Sequence, residues 1–87
     1  MYHINAFASW QTVNDTLYVL DERNGIYYAF KSNVAQKIWY GIENRKNFSE
    51  ITGEISEEFS VDIIRVVQDC SRFIKDLIKV QIISEVA

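Results

Sequence analysis

An 87-residue chain with 48% apolar and 24% charged residues has room for one modest core and is too apolar to stay disordered. Nine basic against twelve acidic residues leave a net charge of −3, and Arg45-Lys46 is the lone basic doublet, so the clustered positive charge that nucleic-acid binding requires is missing. Also disfavoured are a membrane span, since no apolar run approaches about 20 residues, a disulfide framework, since Cys70 is alone, and a metal centre, since His3 and Cys70 lack ligand-spaced companions. The expectation is a single domain over residues 1–87. Met1-Tyr2-His3-Ile4-Asn5 lacks the basic-then-apolar layout of a signal peptide, which points to the cytoplasm.

Residues 2–13 mix Tyr, Ile, Phe, Trp and Val with polar residues and read as one strand, although Ala6 and Ala8 break strict alternation. Asn14-Asp15 is a turn signal. From Leu17 to Trp39 the pattern is the most informative in the chain: a hairpin running straight into an amphipathic helix. Its predicted strands are Thr16–Glu22 and Ile26–Phe30. Two registers compete. A two-residue Asn24-Gly25 turn sets Asp21 opposite Tyr28, which buries a carboxylate or wastes an aromatic. A three-residue loop, Arg23-Asn24-Gly25, with Gly25 left-handed, pairs Leu20 with Tyr28 and Tyr18 with Phe30. That register collects Tyr18, Leu20, Ile26, Tyr28 and Phe30 on one face, and it is the one expected.

Ser32 caps a first helix carrying Val34, Ala35, Ile38, Trp39 and Ile42 at helical spacing and ending near Gly41 to Asn44. Asn47 or Ser49 caps a second, with Phe48, Ile51, Ile55 and Phe59 as its stripe. Ser60 or Asp62 caps a long third helix over about residues 62–79. At about 100° per residue, Ile63, Cys70, Ile74 and Leu77 mark the centre of its apolar face. Val66 and Phe73 lie on one shoulder, and Val67, Ile78 and Ile64 on the other. Arg65, Arg72 and Lys79 interleave with Asp62, Asp69 and Asp76 opposite, the pattern of a solvated, self-paired face. Val80 to Val86 is apolar enough for Ile82 and Ile83 to dock on the core.

The strand Ile26–Phe30 comes last in a meander, so one of its flanks can remain unpaired, and no Pro or inward Lys blocks its middle. Such an edge can take an extended peptide, with backbone bonds giving affinity and alternate side chains giving specificity. The expected anchor groove has Tyr28 and Phe30 at its rim and Val66, Cys70 and Phe73 from the third helix, with the Val67 and Ile78 shoulder as the alternative wall. Asp69 lies beside that shoulder to meet a basic or N–H group. The peptide-binding candidates are therefore Ile26, Tyr27, Tyr28, Ala29, Phe30, Val66, Asp69, Cys70 and Phe73. No nucleophile–base pair or phosphate loop accompanies them, so no enzyme, catalytic residue or cofactor is expected.

The order of these elements and their residue types resemble the PqqD-like family of leader-peptide recognition domains. The resemblance runs from about Leu17 to Ile83. It rests on Val19-Leu20-Asp21, Asn24-Gly25, the Tyr27-Tyr28-Ala29-Phe30 strand, Ala35 and Ile38-Trp39. It continues through Phe48-Ser49-Glu50-Ile51 and Glu58-Phe59-Ser60-Val61-Asp62. Phe30-Lys31-Ser32 and the Gly-free Lys79-Val80-Gln81 depart from the family's usual residues. The Leu-Asp, Gly and Trp details are most similar to the small B proteins of lasso-peptide clusters. The resemblance implies an α+β, winged-helix-like domain, with a three-stranded antiparallel sheet packed on three helices. It also implies a precursor leader added as an extra strand beside the long helix. The implied partners are a leader peptidase and an ATP-dependent cyclase, or a radical SAM enzyme if the pathway makes pyrroloquinoline quinone. A monomer or weak homodimer is expected. A winged-helix DNA-binding domain is the competing outline, but the second helix carries Glu50, Glu54, Glu57 and Glu58 and no base.

Overall fold

Alternation, caps and turn residues place eight elements in the computed structural model, which describes residues 1–86. They are β1 (Tyr2–Ile4), β2 (Ala8–Val13), β3 (Thr16–Asp21), β4 (Ile26–Phe30), α1 (Asn33–Glu43), α2 (Phe48–Phe59), α3 (Ile63–Lys79) and β5 (Ile83–Glu85). The fold is α+β. A three-stranded antiparallel sheet has the order β2-β3-β4, and β1 pairs with β5 in a separate two-stranded ribbon. The single N-terminal strand expected over residues 2–13 is thus two. The chain turns at Asn5–Phe7, where the Ala8 N–H donates to the Asn5 carbonyl, and β1 leaves to meet the C-terminus. Ile82 and Ile83 are fully buried, as their apolar character requires.

Each helix begins where a side chain can satisfy its free N–H groups. The Ser32 hydroxyl accepts from Val34 and Ala35, and the Asp62 carboxylate accepts from Ile64. Asn47 and Glu50 form a reciprocal capping box at the start of α2. Ser60, the rival cap for α3, instead ends α2 in a left-handed conformation. Gln81 does the same after α3, with φ of 66° where a glycine would be expected. Leu17, Val19, Ile38, Trp39, Ile42, Ile51 and Ile55 fill the core from the sheet and the first two helices, and Val66, Cys70, Ile74 and Leu77 from α3. Trp10 meets Trp39 edge to face at 5.4 Å.

The register of the second hairpin corrects the sequence expectation by one residue. Leu17 pairs with Phe30, Val19 with Tyr28 and Asp21 with Ile26. Leu20 faces Tyr27 rather than Tyr28, and Tyr18 faces Ala29 rather than Phe30. The loop is Glu22 to Gly25, with Gly25 left-handed as expected. Leu17, Val19, Tyr28 and Phe30 therefore point inward with Asp21, while Tyr18 and Leu20 lie on the outer face. The cause is Asp21, whose carboxylate is buried but not orphaned. Arg23 forks onto it, with Nε 3.0 Å from Oδ1 and Nη2 2.8 Å from Oδ2, and the Arg23 backbone N–H donates to Oδ1 as well. A buried charge with this many partners carries little of the penalty that argued against burying it.

Candidate peptide-binding edge

Which backbone groups of β4 are free follows from the hairpin before it. Asn14 and Asp15 are both left-handed, at φ 49° and 63°, and form the two-residue turn between paired Val13 and Thr16. In such a hairpin the closing pair exchanges both backbone bonds. Alternation then turns the backbone of Thr16, Tyr18 and Leu20 toward β2, and the Glu22 N–H donating to the Phe7 carbonyl at 2.9 Å continues that parity. Leu17, Val19 and Asp21 are left to bond Phe30, Tyr28 and Ile26. The N–H and C=O of Tyr27 and Ala29 consequently point away from the sheet. Among the described residues no strand pairs on that side. The chain's own ends are occupied with each other in the β1–β5 ribbon.

The wall beside this flank is α3. The rings of Phe30 and Phe73 meet edge to face, 5.0 Å apart, and Tyr28, two residues before Phe30 on the same strand face, is half-buried. Arg23 holds the two elements together. Besides gripping Asp21, it donates through Nη2 to the Val80 carbonyl and through Nη1 to Gln81 Oε1, while its guanidinium lies 3.9 Å from the Phe7 ring centroid. One side chain thus pins the hairpin tip to the C-terminal end of α3.

Of the nine candidate residues, the structure brings Phe30 and Phe73 into contact, with Tyr28 packed against the core on the same strand face, all three partly exposed. Ile26, Tyr27 and Ala29 are exposed along the edge, and Tyr27 at 63% is among the most exposed large side chains. Asp69 is on the surface near Arg65, 3.9 Å away. Val66 and Cys70 differ from expectation, being sealed at 3% and 0% exposure. The core direction on α3 runs through Val66, Cys70, Ile74 and Leu77 rather than through Ile63, which is 44% exposed. The apolar stripe is thus rotated toward the Val66 shoulder, and Val66 and Cys70 back the groove instead of lining it. Burial, reinforced by the Asp69 carboxylate, pushes the Cys70 thiol up to about 11, which leaves it protonated and unreactive at neutral pH.

Arg23, Gln81 and Val80 are the site-shaping residues that sequence reasoning missed. The only signal for them was an arginine two residues after a carboxylate at a strand end. A hollow of about 440 Å³ lies elsewhere, between the ribbon, Trp10 and the end of α1, and touches neither β4 nor α3. No group of metal-ligating side chains is present among the described residues. None of the described helices is long and apolar enough to cross a membrane.

A three-stranded sheet packed on three helices, with the outer flank of its last strand unpaired among the described residues, defines a class of small α+β domains. Residues 17–83 match the family described as "Coenzyme PQQ synthesis protein D (PqqD)", and the chain belongs to that family. A solved structure described as "TbiB1 in Complex with the TbiA(beta) Leader Peptide" is similar with a TM-score of 0.88 at 26% identity, covering 98% of each chain. Another, "Lasso peptide synthetase B1 complexed with the leader peptide", has a TM-score of 0.88 at 14% identity, covering 97% of this chain and 98% of that one. The second likeness is one of fold alone. No curated protein matches the chain.

Proposed function

We propose that this protein is a non-catalytic cytoplasmic module that captures the leader segment of a ribosomally made precursor peptide as an added strand on β4 and presents it to maturation enzymes. A leader peptidase and a cyclase of lasso-peptide biosynthesis are the partners this reading favours. The observation that carries it is the unpaired flank of β4, where Tyr27 and Ala29 offer backbone donors and acceptors beside α3. Support comes from TbiB1, a relative at 26% identity whose structure holds a leader peptide. Backbone bonds at about 1 kcal/mol net each barely offset the roughly 2–5 kcal/mol needed to order a flexible leader. Apolar side chains of the leader must therefore anchor it against Tyr28, Phe30 and Phe73.

The test uses the alternation of the edge. Ala29→Pro removes an outward N–H and leaves the β3–β4 bonds intact, because proline is tolerated where the N–H faces solvent. Titration of a labelled precursor leader should show affinity lower by about fivefold or more, with circular dichroism unchanged. Unchanged affinity in a folded Ala29→Pro protein would refute strand addition here. The family's description keeps a second reading open, a peptide chaperone for a radical SAM enzyme in coenzyme PQQ synthesis. The enzymes encoded beside the gene separate the two: a peptidase and cyclase, or a radical SAM enzyme.

A further inference from the structure

We propose that the outer face of the sheet is a second specificity surface, which takes a bulky uncharged side chain of the leader on the side opposite the α3 groove. The inference rests on strand addition at β4 and adds which residues the incoming strand must carry. Side chains of a strand alternate between faces, and paired residues share a face. A segment bonded to Tyr27 and Ala29 therefore sends every second side chain away from α3. Those side chains land at the ends of two cross-strand rows. One row runs Ser9, Leu20, Tyr27 and the other runs Gln11, Tyr18, Ala29.

A sheet face exposed to water ordinarily carries charged and polar residues, and an exposed edge is ordinarily guarded by lysine. Neither holds here. The two rows contain no charged residue, in a chain that is 24% charged. A hollow of about 300 Å³ opens on this face, lined by Ser9, Trp10, Gln11 and Val13 of β2, Tyr18 and Leu20 of β3, and Tyr27 of β4. Tyr27 is 63% exposed and Tyr18 37%. Ala29, without a long side chain, leaves a step at the end of its row, bounded by Tyr18 behind and Tyr27 beside. An aliphatic or aromatic leader residue opposite Ala29 fills that step and covers both tyrosines, and a charged residue would be desolvated there without a partner. Tyr27 carries this surface onto the edge strand, so a leader seated on the β4 flank runs beside it.

The experiment selects binders from a displayed library of random peptides about twelve residues long against the intact protein, and then measures the best ones by titration. Expected are apolar residues at alternate positions for the α3 side and a large uncharged residue at the position between them. Replacing that intervening residue by Ser should weaken binding about fivefold to tenfold. The same replacement should have under about twofold effect against Tyr27→Ser protein, which places the lost contact at Tyr27. Intervening positions that tolerate Ser, Lys or Glu at full affinity, while the alternate positions do not, overturn the outer-face surface and leave strand capture standing. Selected peptides that bind Ala29→Pro protein as well as wild type, or no selected peptides at all, overturn strand capture and the outer surface with it.

Discussion

Asp21 is 1% exposed, yet both its oxygens have donors, and the Arg23 that supplies most of them also reaches Val80 and Gln81. The hydrogen bond from Arg23 holds the Asp21 carboxyl below its ordinary value, against the opposing effect of burial. A carboxyl whose folded-state pKa is depressed contributes stability above its unfolded pKa, about 4, and loses it as pH falls through the lower folded value. Thermal melts should therefore show stability dropping below about pH 4. Asp21→Asn should melt lower at neutral pH and respond less steeply to acid. An unchanged acid slope in Asp21→Asn would remove this residue as a source of acid sensitivity. The same residue explains the one-residue register error. Sequence reasoning treated a buried carboxylate as forbidden because nothing in the linear order shows that Arg23 folds back over it. Gly25 was legible, since a left-handed turn position restricts the choice of residue whatever its neighbours do.

Among the elements, the helices were the most readable, because caps and apolar spacing are local. Ser32, Asn47 and Asp62 all act as caps. What spacing could not show was which part of a wide apolar stripe faces inward on α3. That depends on where the sheet and α2 sit, and it exchanged Ile63 for Val66 in the core. The consequence for the groove is that Phe73, touching Phe30, is its accessible wall. Phe73→Ala should weaken leader binding about tenfold or more. Its stability loss should stay below the roughly 3–5 kcal/mol of a fully buried phenylalanine, since the ring is partly exposed. Equal leader affinity in a folded Phe73→Ala protein would take α3 out of recognition. Between α1 and α2 the constraint is Gly41, where an added Cβ would sit 2.8 Å from Ile51 Cγ1. Alanine favours a helix over glycine by about 1 kcal/mol, but forcing the helices apart costs about 1–3 kcal/mol. Gly41→Ala should therefore be net destabilising by about 1 kcal/mol in a denaturant melt, and a gain in stability would show that Ile51 simply moves aside.

At the scale of the whole molecule, the proposed recognition flank and the closure of the chain's ends lie on different strands. β4 keeps an open flank, while β1 and β5 pair Tyr2 with Glu85 and Ile4 with Ile83. Deleting residues 1–4 should uncover Ile82 and Ile83 and lower stability by about 2–4 kcal/mol in urea titrations. Leader affinity measured below the unfolding transition should stay within about twofold. A large loss of affinity in that folded, shortened chain would mean that the ribbon helps shape the β4 flank. The broad architecture was legible because the meander and three helices are contiguous in sequence. The ribbon was not, because three-residue strands at opposite ends carry no periodic signal strong enough to announce each other.

The ribbon's span also bears on the order of assembly. The Val86 N–H donates to the Met1 carbonyl at 2.8 Å across nearly the whole chain, so closing that loop carries the largest entropic cost in the chain and gains little until the hairpins and helices have formed. The terminal zipper is then the last piece to fasten and the first to fray. Because the fraying seam is not the β4 flank proposed to read the peptide, breathing of the ends on their own timescale would leave captured cargo in place.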